Sequence, residues 1–84
     1  MKALIIDDEK GGMLLADFFE MSGWECANVE SAEEGLNRLE AEPFDVVIVD
    51  IRLPGMDGEQ FVKQAAERHR DTVYVICTGF VNYQ

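Results

Sequence analysis

The chain has 84 residues, with seven Lys and Arg against seventeen Asp and Glu and a formal charge of −10. That length holds one domain, and a fold so small buries only about 60–65% of its unfolded surface, so its stability margin is thin. Hydrophobic residues at 48% and charged residues at 29% exclude wholesale disorder, while the acid surplus disfavours direct nucleic-acid or anionic-membrane binding and favours cations and basic protein surfaces.

The chain reads as strands alternating with helices. Leu4–Ile6 is an apolar run ending in Asp7-Asp8, as in a strand buried on both faces. From Met13 to Ser22, Leu14, Leu15, Phe18, Phe19 and Met21 recur at helical spacing, and Gly23 is the stop signal. Gly11-Gly12 at its head costs about 1 kcal/mol each if helical, so a loose first turn is expected. Trp24–Val29 alternates apolar with polar, the pattern of an edge strand. Ser31-Ala32-Glu33-Glu34 has the form of a capping box. The helix it opens turns Leu36 and Leu39 inward and stops before Pro43.

Val46–Val49 is a second continuous apolar run, with Asp50 at its carboxyl end. Leu53 to Gly58 is a loop by composition. A helix with Phe61, Val62, Ala65 and Ala66 inward follows and ends near His69-Arg70. Val73–Cys77 is the next apolar strand, closed by Thr78-Gly79. The order βαβαβαβ predicts an α/β fold with a parallel sheet, right-handed crossovers and helices on both faces.

Neither a signal-peptide core nor a run of roughly 18 apolar residues is present, so a cytoplasmic location is expected. Cys26 and Cys77 lie 51 positions apart, without metal or redox spacing, and read as reduced thiols. With two strands between theirs, they should stand about 14 Å apart, beyond disulfide reach. His69, at the carboxyl end of the last helix, suits the helix dipole rather than phosphate carriage. Trp24 should cover the start of the edge strand, and Met13, Met21 and Met56 read as packing or loop residues.

In open parallel sheets ligands gather beyond the carboxyl ends of the strands. Asp7, Asp8, Asp50 and Thr78 all occupy such ends. Asp7-Asp8 alone reads equally well as charge favouring a helix N-terminus, and Asp50 alone reads better that way; the four residues together point to chemistry. Two carboxylates about 4 Å apart repel by roughly 4 kcal/mol at an effective dielectric of 20. A protonated carboxyl would relieve this, and a hard divalent cation such as Mg²⁺ does so better. A carboxylate beside that ion can attack a phosphoryl group to give an aspartyl phosphate, with Thr78 donating to a phosphoryl oxygen.

These residues also carry a resemblance. Asp7-Asp8-Glu9, the segment from Val46 through Asp50, Arg52, Leu53-Pro54-Gly55 and Met56-Asp57 to Gly58, and Thr78-Gly79 resemble the receiver domain of two-component response regulators along the whole chain. The resemblance implies a flavodoxin-like sheet of order 2-1-3-4 and a phosphoacceptor at Asp50, supplied by a histidine kinase or phosphotransfer protein. It further implies Mg²⁺ on the side chains of Asp8 and Asp50, on the Arg52 carbonyl and, through water, on Asp7. Thr78 would be the switch hydroxyl and Gly79 the small residue beside it, with the Leu53-Pro54-Gly55 turn and Gly58 shaping the adjoining loop.

Residues 1–84 match such a domain only through its fourth strand. The expectation is therefore a single truncated receiver, lacking the fifth strand, its lysine and the last two helices, with Tyr83 incidental. Such a chain would expose Val73–Cys77 as an edge, which predicts a homodimer or strand-exchanged oligomer. Its phosphorylation would be self-catalysed at most, without enzymatic turnover. The rival reading is a non-switching pseudo-receiver serving interaction or dimerisation. A small Mg²⁺-dependent phosphatase fits less well, because Arg52 stands where such enzymes want a second acid.

Overall fold

The central strands are β1 (Lys2–Ile6) and β3 (Val46–Asp50), each built on a run of four apolar residues and paired in parallel. A computed structural model describes residues 1–8, 11–51, 53 and 55–77, with the backbone alone for 11–14. Flanking the central pair are β2 (Glu25–Val29) and β4 (Val73–Cys77), giving one parallel sheet of order β2-β1-β3-β4. The helices α1 (Gly11–Met21), α2 (Ala32–Ala41) and α3 (Gly58–Arg68) connect successive strands. This is the expected α/β flavodoxin-like order, with both predicted edges at the margins of the described sheet.

Parallel strands buried on both faces need no polar alternation, and β1 shows it: Ala3, Leu4, Ile5 and Ile6 are all fully buried. Leu4 and Ile6 share one core with Val47 and Val49 of β3, Ala32 and Leu39 of α2, and Phe61 and Ala65 of α3. The alternate residues Ala3 and Ile5 face the other side, where α1 packs. Ser31 caps α2, its hydroxyl accepting from the Glu34 N–H at 3.1 Å, and the Glu34 carboxylate returns to that hydroxyl at 3.3 Å. The cysteines are both free, as the strand order requires.

α1 starts at Gly11, two residues ahead of the expected Met13, so both glycines are helical. The apolar positions of α1 are not all covered: Phe18 is 63% and Met21 88% exposed, while Leu15 and Phe19 are half-buried. Phe19 instead stacks edge-on against Trp24, with centroids 5.1 Å apart, which places Trp24 at the head of β2 as anticipated. Gly23 ends the helix at φ +90, a conformation glycine adopts without steric cost.

The amino-terminal ends of the strands are fastened by polar side chains. Glu42, the C-cap of α2, pairs with Lys2 and with Arg38, the latter at 3.0 Å. The Lys2 N–H donates to Asp45 at 2.8 Å, Thr72 donates to the Phe44 carbonyl at 2.8 Å, and Tyr74 donates to the His69 carbonyl at 2.9 Å. His69 and Arg68 both reach Glu40, at 3.1 and 2.9 Å.

Hydrogen bonds from Lys2 and Arg38 hold the Glu42 carboxyl below its ordinary value of 4.5. A carboxylate depressed on folding contributes stability that is complete above the unfolded pKa and is lost as pH falls through the folded one. Glu42→Gln should therefore lower the melting temperature at pH 7 and flatten its decline below pH 4.5, as read by circular dichroism. The pair is partly exposed, so the difference should also shrink in high salt.

Candidate functional site

The register that fills the core also assembles the acids. Ile6 of β1 lies opposite Val49 of β3, so the residue after each strand's last apolar position, Asp7 and Asp50, arrives at the same rung. Backbone bonds extend the ladders past this level: the Asp7 N–H donates to Val29 O at 3.0 Å and the Ile51 N–H to Cys77 O at 2.8 Å. Asp8 follows directly. One carboxylate oxygen each from Asp7, Asp8 and Asp50 fall within 4.8 Å of one another, with Asp7 and Asp50 half-buried and Asp8 exposed.

The electrostatic cost of this arrangement depends on its wetness. At 4.8 Å each like-charge pair repels by about 1 kcal/mol in water and about 3.5 kcal/mol at an effective dielectric of 20. The donor set is hard oxygen only, which is Mg²⁺ chemistry rather than zinc chemistry. Octahedral Mg²⁺–oxygen distances of about 2.1 Å put opposite ligands about 4.2 Å apart, so modest side-chain rotation would bring the three oxygens into range. Negative potential extends to β4: burial first, then Asp50 and Asp7, push the Cys77 thiol above its ordinary value, which keeps it a poor nucleophile.

The floor of the site is set by the start of α3. Asp57 is its N-cap, accepting from the Gln60 N–H at 2.9 Å, while the Asp57 N–H donates to the Gln60 side chain at 3.4 Å. This reciprocal capping box lies where composition suggested only loop; the signal was the Asp-x-x-Gln spacing. The Gly58 N–H donates to Ile51 O at 3.2 Å, tying the helix to the residue after Asp50. Gly55 turns the intervening loop at φ +77.

Of the residues singled out from the sequence, Asp7, Asp8 and Asp50 come together. Glu9, Arg52, Pro54, Thr78, Gly79 and Tyr83 lie outside the described residues. At the opposite end of the sheet a cleft of about 490 Å³ is lined by Lys2, Phe44, Arg68, His69 and Thr72 among others. Lys2 pairs with Glu42 and Arg68 with Glu40 beside it. The cleft is remote from the acids and contains none of them. Among the described residues, no helix is long and apolar enough to cross a membrane.

Residues 3–84 match the family model described as the response regulator receiver domain. The chain is 36% identical over 78 residues to the DNA-binding transcriptional regulator NtrC of Klebsiella pneumoniae, covering 92% of this chain and 17% of that protein. It is 34% identical over 73 residues to the sensor histidine kinase GacS of Pseudomonas protegens, covering 81% of this chain and 8% of GacS. It thus spans a small part of both relatives. The response regulator TrrA of Thermotoga maritima, solved in complex with Mg²⁺-BeF, superposes with a TM-score of 0.87 at 27% identity, over 99% of this chain and 73% of TrrA. TrrA has also been solved in complex with the histidine kinase ThkA, with a TM-score of 0.86.

Proposed function

The chain belongs to the response regulator receiver domain family, and from that membership we propose that it accepts a phosphoryl group on Asp50 with Mg²⁺ held beside it. Receiver domains are signalling modules of two-component systems. The observation that carries the reading is the meeting of three carboxylate oxygens within 4.8 Å at the carboxyl ends of β1 and β3. Asp8 and Asp50 would hold the ion through their side chains, Asp7 through a water, and Arg52 through its carbonyl. When bound, Mg²⁺ supplies positive charge that neutralises the transferring phosphoryl oxygens.

An Asp50 carboxylate oxygen attacks phosphorus as the bond from phosphorus to the donor breaks. The departing atom, an imidazole nitrogen or a carboxylate oxygen, keeps the electron pair. The Thr78 hydroxyl would donate to a phosphoryl oxygen. The proposed donor is a histidine kinase or phosphotransfer protein, by analogy with the kinase that TrrA accompanies. We read residues 1–84 as a single receiver unit of cytoplasmic signalling, which suits two free thiols. Incubation with acetyl phosphate and Mg²⁺ should add one phosphoryl group by intact mass, and Asp50→Asn should take none. An adduct of equal yield in Asp50→Asn, or none on the unaltered chain, overturns the reading.

A specific observation favours an interaction role as well. On β4, the last strand of the described sheet, Val73 is 61%, Val75 43% and Ile76 38% exposed. An apolar strand at a sheet margin invites pairing, and we propose that a second copy covers it as a homodimer or strand-exchanged oligomer. Light scattering at micromolar concentration should give twice the 9.5 kDa chain mass. A folded monomer at that concentration overturns this part.

A further inference from the structure

We propose that Gly58 is a positioning residue for Asp50, one whose missing side chain lets the start of α3 lock the peptide on which the phosphoacceptor rides. The inference rests on the phosphoacceptor reading and adds a determinant of its geometry. A Cβ on Gly58 would stand 2.8 Å from the Asp50 carbonyl oxygen, 2.9 Å from the Ile51 Cα and 3.3 Å from the Asp50 carbonyl carbon. All three are backbone atoms, so no side-chain rotation relieves the collision. Either α3 or the Asp50–Ile51 peptide must move. Gly58 has no left-handed φ to explain a glycine here, and as a helical residue it would be better served by alanine. Space at the Asp50 peptide is the remaining constraint.

The contact also has a positive side. The Gly58 N–H donates to Ile51 O at 3.2 Å, and the Asp57–Gln60 capping box fixes the first turn that presents this N–H. Asp50 thus sits between a β3 ladder on one side and a capped helix start on the other. Gly35 provides a matched comparison. It is likewise buried, but a Cβ there would meet the side chains of Ile6 and Phe61 in the core. Gly35→Ala therefore strains packing without pressing on the Asp50 peptide.

The test compares the unaltered chain, Gly58→Ala and Gly35→Ala at a temperature where circular dichroism shows each folded. Two quantities are read: Mn²⁺ affinity by electron paramagnetic resonance, and phosphorylation rate by acetyl phosphate at saturating Mg²⁺. Gly58→Ala should bind Mn²⁺ at least about tenfold more weakly, as when a metal ligand loses its supporting partner. Its saturated rate should fall up to about a hundredfold, because a displacement of about 1 Å is enough for that. Gly35→Ala should stay within about twofold on both measures while losing thermal stability. Gly58→Ala matching the unaltered chain on both measures overturns the proposal, as does an equal loss in Gly35→Ala.

Should Gly58→Ala fail to fold, Asp57→Ala and Asp57→Asn decide. Asn caps a helix as well as Asp does, whereas Ala does not. Loss of rate in Asp57→Ala with recovery in Asp57→Asn supports positioning by the helix start; equal rates in both overturn it. An unaltered chain that binds Mn²⁺ but takes no phosphoryl group refutes the phosphoacceptor reading alone, and Mn²⁺ affinity then judges Gly58. A chain that does neither refutes both.

Discussion

Phe61→Ala is expected to remove a large share of the stability of the fold. Phe61 is fully buried, among the largest of the side chains wholly removed from solvent. It stands in the core formed by Leu4, Ile6, Val47 and Val49, with its ring edge-on to Tyr74 at 6.4 Å. Truncating a buried phenylalanine costs about 3–5 kcal/mol in lost transfer energy and residual cavity. A domain of this size holds about 4–13 kcal/mol in total, at roughly 0.05–0.15 kcal/mol per residue. The substitution removes a large share of that margin. Urea unfolding should show a fall in midpoint with an unchanged slope, and Phe61→Leu, which keeps most of the volume, should lose far less. A Phe61→Ala midpoint within about 1 kcal/mol of the unaltered chain would mean that α3 contributes little to the core.

Asp8→Asn should move stability and metal affinity in opposite directions. Asp8 is the exposed member of the acidic trio and lies ahead of the first turn of α1. Removing its charge relieves repulsion from Asp7 and Asp50, about 1 kcal/mol from each at the water-like limit that suits an exposed group, which salt screening and the lost favourable charge ahead of a helix N-terminus bring down to about 1 kcal/mol net. For a domain of this size that corresponds to a rise in melting temperature of about 4–8 °C without metal. On the proposed reading the same change removes a charged oxygen ligand and should weaken Mg²⁺ binding by about tenfold or more, or about 1.4 kcal/mol. Calorimetric titration and thermal melts on one preparation read both. A fall in melting temperature without metal would show that Asp8 is held by partners rather than strained by neighbours.

Much of this was legible in the residues because the site is a by-product of strand placement. Val73–Cys77 matches the observed β4, and Asp7, Asp8 and Asp50 were marked by standing where apolar runs stop. Other features needed tertiary information. β1 begins at Lys2 rather than Leu4 because the lysine stem can lie over Phe44, its ammonium 5.3 Å from the ring centroid, while Glu42 takes the charge. Periodicity in α1 identified a helix but not which apolar positions are covered: Leu15 and Phe19 are half-buried, whereas Phe18 and Met21 are exposed. The Asp57–Gln60 box was hidden by neighbours typical of loops, although its spacing is readable once a helix is known to start there.

The pairing of Ile6 with Val49 has one more consequence. Sliding β1 against β3 by a single position would exchange Leu4 and Ile6 with Ala3 and Ile5 between two buried faces, mismatching side-chain volumes on both, and carry Asp7 away from Asp50 in the same motion. A chain that has miswired its chemistry has therefore already lost its close packing. Folding proofreads the pocket, and no well-packed decoy with scattered acids is available to compete.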